Sequence, residues 1–286
     1  MPKSSPIQSP FLVLPLLLAA LAGCRQEPRA AENAVEAPVT ELPRVVRPNP
    51  PIDRAGLLAA VAQAASSTAS GAALPPELRA MDGRQFEIRI RFGCRGPSND
   101  LQQEWLGWSY DAQSRTVRVR ARPTISAVEP MVARLSDEVE AVEGFWIPRP
   151  WLLQPACPAT AAIDAGAAKQ EPEPTDDPAD KQSEPVPAAP RIGIAQFFTS
   201  TDSRTGRRDN RAYEAVHTLA EGQAIGSQGF NLVLSGRLRA LPGRGVIECV
   251  ASNADSPPEC VVSAEFQRAW IEQPETREVI ADWGDG

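Results

Sequence analysis

Phe86-Glu87-Ile88-Arg89-Ile90-Arg91-Phe92 alternates apolar and charged side chains at every step. Successive side chains of a strand point to opposite faces, so this stretch predicts a strand with one buried and one wet face. The same period recurs outward from it. Residues 105–110 read as a second strand, Asp111-Ala112-Gln113-Ser114 as a turn, and 116–122 as a strand with Val117, Val119 and Ala121 inward. Upstream, Asp53 is placed to N-cap a helix on which Leu57, Leu58, Val61 and Ala65 share a face. Downstream, 143–151 is aromatic and extended, and Pro148 and Pro150 suit an edge or a loop.

The second half carries the same signals. Residues 191–199 are apolar and extended, and Phe230, Leu232, Leu234 and Leu238 alternate with polar neighbours. Residues 246–250 and 261–266 flank a loop with Pro257 and Pro258, which predicts a hairpin. Residues 276–283 suit a short helix or a strand equally. Between the halves, 159–190 is Ala-rich and then acidic and Pro-rich, the composition of an extended, solvated linker. The expected fold class is mainly β with one N-terminal helix (α+β): two small antiparallel β-sandwich or open-barrel modules, 53–158 and 191–286, joined by that disordered linker.

Charge and composition exclude several chemistries. The 286-residue chain has 29 Lys+Arg against 36 Asp+Glu, a balance opposed to nucleic-acid binding. The linker alone accounts for −5 of the charge. The chain's three lysines are Lys3, Lys169 and Lys181, so neither proposed module contains one, and Schiff-base and Ser–Lys chemistry have no residue to use. A phosphate-cradling loop lacks its Lys and its Gly pattern. One histidine, His217, cannot build a His-rich zinc site, and no metal or cofactor is expected.

Residues 11–22 are apolar and uncharged behind a start whose one charged side chain is Lys3. Twelve residues make a helix of about 18 Å, short of a bilayer core of about 30 Å, so the segment suits a removable signal better than a span. Leu21-Ala22-Gly23-Cys24 resembles the lipobox of bacterial prolipoproteins. The resemblance implies cleavage after residue 23, a diacylglycerol on the Cys24 sulfur, and acylation of the new amino group. Two or three chains at about 0.8 kcal/mol per buried methylene hold a protein on a bilayer where one does not. Residues 24–52 then read as a disordered tether. Arg25 stands where the Gram-negative pattern places Asp for inner-membrane retention, which implies the outer membrane, facing the periplasm. The segments Phe86–Cys94 and Val142–Trp151 loosely resemble other Gram-negative envelope lipoproteins, a likeness that implies no activity.

Outside the cytosol, Cys94, Cys157, Cys249 and Cys260 suggest two disulfides. With two cysteines in each proposed module, the expected pairs are Cys94–Cys157 and Cys249–Cys260, worth on the order of 4 and 3 kcal/mol by loop entropy. Candidate sites are sparse. Arg89 and Arg91 with Arg118, Arg120 and Arg122 form an anion-binding stripe if their strands are neighbours, unless Glu87, Asp137, Glu138, Glu140 or Glu143 neutralises it. Trp105, Trp108, Tyr110, Phe145, Trp146 and Trp151 suit a sugar-stacking platform or, more simply, a core. No nucleophile or metalloprotease motif occurs. The expected function is a membrane-anchored, non-catalytic binding or scaffolding lipoprotein whose partner is an envelope protein or glycan. The alternative is a carboxylate-pair hydrolase acting on an envelope polymer such as peptidoglycan.

Overall fold

Asp53 caps a helix as expected: its carboxylate accepts from the Gly56 amide at 2.8 Å, and α1 (Arg54–Ser70) follows. Leu57, Leu58, Val61 and Ala64 are buried. Ala64, seven residues beyond Leu57, takes the buried place expected of Ala65, which is half-exposed. The structure is a computed structural model that describes residues 49–127, 129–134, 139–158, 190–203, 207–223, 225–226 and 228–284. The expected signal segment, Cys24, nearly all of the tether and nearly all of the linker lie outside the described residues, as do Asp137 and Glu138.

A one-turn helix, α2 (Pro76–Arg79), precedes β1 (Gln85–Phe92), where Phe86, Ile88, Ile90 and Phe92 are buried. β2 (Leu106–Asp111) and β3 (Thr116–Ala121) make a hairpin, and α3 (Pro130–Ala133) leads to β4 (Val139–Trp146). The remaining strands are β5 (Ile192–Thr199), β6 (Tyr213–Thr218), β7 (Phe230–Leu238), β8 (Ile247–Val250), β9 (Glu259–Glu272) and β10 (Val279–Gly284). The fold is mainly β, with open sheets. The 276–283 stretch resolves as strand β10.

The fourteen-residue β9 is the spine. Its first part pairs with β8 and, in parallel, with β5; its second part pairs with β7 and β10. β1 extends the sheet beyond β7, and β4 beyond β5, giving the order β1-β7-β9-β5-β4 with β8 and β10 also on β9. Gln267 bulges out where Ser235 pairs with Arg268 but Gly236 with Phe266. Gly236 allows this bulge: a Cβ there would lie 1.9 Å from the Glu265 carbonyl oxygen. A second sheet, β2-β3-β6, packs on the first, with Trp108 edge-on to Phe230 at 5.5 Å. Helix α1 packs against β1, β8 and β9. Side chains from α1 and from both sheets form the main core, and α3 covers a smaller one with Ile125, Val142 and Phe197.

This pairing corrects the expected division into modules 53–158 and 191–286. All eight residues of β1 pair with β7, from the other side of the linker, and β3 pairs with β6. The described residues, from 49 to 284, form one compact unit. Alternation shows which face a strand buries but not which strand lies beside it, so a Pro-rich interval read as a domain boundary is an insertion between strands of one sheet.

Candidate functional site

The five arginines expected to form a stripe fall on two sheets. Arg89 and Arg91 lie on β1 of the large sheet, and Arg118 and Arg120 on β3 of the small one, with Arg122 just beyond it. β1 and β3 are not neighbours, so no continuous stripe forms. Arg89 is bonded to Glu87 at 2.7 Å and to Glu272 at 3.0 Å. Arg120 pairs with Glu214 directly across the strands and with Gln102. Arg122 lies over the Trp105 ring, 5.2 Å from its centroid, and Arg118 is exposed.

The other candidates also separate. Trp108 and Phe145 are core residues, while Arg191 covers the Trp146 ring at 4.0 Å. Trp105 and Tyr110 are exposed at the two ends of β2, and Trp151 is 61% exposed in the turn after β4. Disulfides join Cys94 to Cys157 and Cys249 to Cys260, the latter pair facing each other across β8 and β9. Both expected pairings are therefore present, and these cysteines offer no thiol to His217, which pairs from β6 with Val117 on β3.

A groove of about 700 Å³ opens at the Phe92 end of β1. Its apolar lining includes Phe92, Leu106 and Trp108, its cations are Arg91, Arg95 and Arg149, and Glu104 is its one lining carboxylate among the described residues. Gly93 makes the wall. At φ +71° it turns the chain out of β1, and its carbonyl accepts from the Trp108 indole at 3.1 Å. A Cβ there would lie 2.4 Å from Trp108 Cδ1. Gly93→Ala is accordingly expected to cost about 1–3 kcal/mol and to displace the indole. Urea denaturation and Trp fluorescence measure both effects, and an unchanged midpoint would refute this account of the wall.

Beneath the groove, Arg54 is 5% exposed. It donates to the carbonyls of Leu152 at 2.9 Å, Pro148 and Arg149 at 3.0 Å each, and Arg89 at 3.4 Å. This ties the start of α1 to β1 and to the turn after β4. Burial, with repulsion from Arg149, lowers its pKa to about 10. Burial also lowers the pKa values of Arg91 and Arg149. Arg149 holds a left-handed backbone, φ +51°, uncommon outside glycine. Its side chain reaches the Arg91 carbonyl at 3.4 Å and Cys94 Sγ at 3.7 Å. Among the described residues, none of Arg54, Arg91, Arg95 and Arg149 is ion-paired with a carboxylate.

Of these four, only Arg91 stood out in the sequence. Arg54 broke a local rule there, because a cation in the first turn opposes the helix dipole. Arg149, between Pro148 and Pro150, signalled only a loop, and Arg95 carried no signal. No protein-family model matches the chain, and no curated protein or solved structure is significantly similar to it.

Proposed function

We propose that the protein is an acylated outer-membrane lipoprotein, facing the periplasm, whose folded body binds an envelope ligand or partner without transforming it. The observation that carries the binding reading is the groove at the end of β1. It combines an apolar wall with guanidinium groups that lack carboxylate partners, and its volume falls in the range of ligand clefts, about 300–1,000 Å³. A single lining carboxylate among the described residues supports binding over hydrolysis, since acid-pair glycoside hydrolysis uses two carboxyl groups across the cleft. Lipidation is supported by the Leu21–Cys24 motif. Among the described residues no helix is long and apolar enough to cross a membrane, and attachment through Cys24 needs none.

Two measurements test this. Cys24→Ser is expected to abolish acylation and release the protein from sedimented membranes; a variant that matures normally and stays membrane-bound removes the anchor. A photo-cross-linking residue at exposed Pro97, on the groove rim, is expected to capture an envelope component in living cells, whereas the same residue at exposed Glu265 is not. Equal capture from both positions, or none from Pro97, overturns the binding reading.

A further inference from the structure

We infer that the groove takes a small anionic amphiphile: a carboxylate or phosphate held by Arg149 and Arg95 beside Arg91, on an apolar body lying against Pro97, Leu106 and Pro148. This deepens the binding reading and rests on it. Three observations converge.

The first is the crowding of like charge. Arg54, Arg91 and Arg149 gather around one turn, and carbonyl oxygens rather than carboxylates receive their donors. Carbonyl dipoles satisfy hydrogen bonds but leave the formal charge in place. Glu275 and Glu272 act on Arg91 only through space. An anion in the groove removes the mutual repulsion, so part of its binding free energy comes from strain already present in the empty protein.

The second is unused donor capacity. Arg149 spends one terminal nitrogen on protein atoms, and its Nε and other terminal nitrogen have no partner among the described residues. Among the described residues, Arg95, exposed at the groove, makes no bond, and the buried Arg91 Nε has no partner. A guanidinium with two free N–H groups in one plane matches the two oxygens of a carboxylate or phosphate.

The third is backbone strain. The left-handed conformation of Arg149 is held in place by the Arg54 bond to its carbonyl. Such a cost persists where surrounding structure imposes it, and here it sets a cation at the mouth of a groove. Apart from Glu104, much of the remaining lining is apolar, Pro97, Leu106 and Pro148 among it, so a bare inorganic anion leaves that surface wet and an uncharged apolar molecule leaves the cations unpaired.

The test is calorimetric titration of the mature acylated protein in zwitterionic lipid nanodiscs. The probes are phenyl phosphate, 3-phenylpropionate, inorganic phosphate and neutral 2-phenylethanol. At least one aromatic anion is expected to bind, about tenfold or more tightly than either control, and to weaken as salt is raised. Which one binds better identifies the anionic group. Arg149→Gln is expected to lose about tenfold in affinity, and so is Arg95→Gln, whose exposed position leaves the fold intact. Arg118→Gln, on the outer face of the small sheet, is expected to change nothing. The inference falls if neither aromatic anion binds, if 2-phenylethanol binds as well, or if both groove variants behave like the parent. Continued capture from Pro97 in that event would show that the ligand class had failed while the binding reading survived.

Discussion

Glu272→Ala is expected to lower the stability of the fold by about 3–5 kcal/mol, the loss typical of removing one partner from a buried ionic network. Glu272 ends β9 and is 3% exposed. Its Oε1 accepts from Arg277 at 2.8 Å, Arg89 at 3.0 Å and the Asn231 amide at 3.1 Å, and Oε2 accepts from the Trp270 indole at 3.1 Å. Removal leaves the buried Asn231 amide and Trp270 N–H unbonded, each at about 1–3 kcal/mol. Arg89 retains Glu87, which limits the loss. Burial by itself raises the Glu272 pKa, but hydrogen bonds from Asn231, Arg89 and Trp270 outweigh it and hold the carboxyl below its ordinary value. The sign follows. The group stabilises the fold above its unfolded pKa of about 4.3, and the contribution disappears as pH falls through the lower folded value. Glu143 acts oppositely: burial raises its pKa despite bonds from the Arg208 and Asp209 amides, so its contribution to stability is complete below the unfolded pKa and is lost as pH rises through the higher folded value. Urea titrations from pH 7 into the acid range should show a loss in the parent that Glu272→Gln lacks. A drop of less than about 1 kcal/mol for Glu272→Ala at pH 7 would refute the network's importance.

Arg54→Met should cost about 2–4 kcal/mol. Methionine keeps the apolar stem and removes the donors that reach four carbonyls. Charge-assisted bonds contribute about 1.5–3 kcal/mol each, and relief from burying a cation without a counterion offsets part of their loss. The damage is local, in the turn after β4 that carries Arg149. Hydrogen exchange should therefore accelerate first at residues 149, 151 and 152, and the groove should lose its charged wall. Lysine is a poor substitute because an ammonium lacks the planar fork that spans separate carbonyls. Unchanged exchange in this turn, with a midpoint shift below about 0.5 kcal/mol, would count decisively against a latch.

What the sequence revealed follows from the range of each signal. The alternation in β1 and β3 is local, and both strands lie within a residue of their expected bounds. Both disulfide pairs were named correctly, although from a division into two modules that the fold does not have. β6 was not recognised because its pattern is mixed: Val216 is 58% exposed while Tyr213 and Ala215 face inward. Strand partners were invisible because the β1–β7 pairing joins residues far apart in sequence. The groove was illegible for the same reason. Arg54, Arg91 and Arg149 come from a helix start, a strand and a turn, and only the tertiary fold brings them together.

The pairing of Phe92 with Phe230 has a kinetic consequence. A growing chain completes β1 about 140 residues before β7 exists, and non-local pairing of this kind slows folding. Until then a seven-residue stretch of high β propensity has no native strand alongside, the condition under which chains aggregate. Glu87, Arg89 and Arg91 interrupt that stretch at every second position. They therefore serve as gatekeepers for the nascent chain, charges that discourage self-association while β1 awaits its partner.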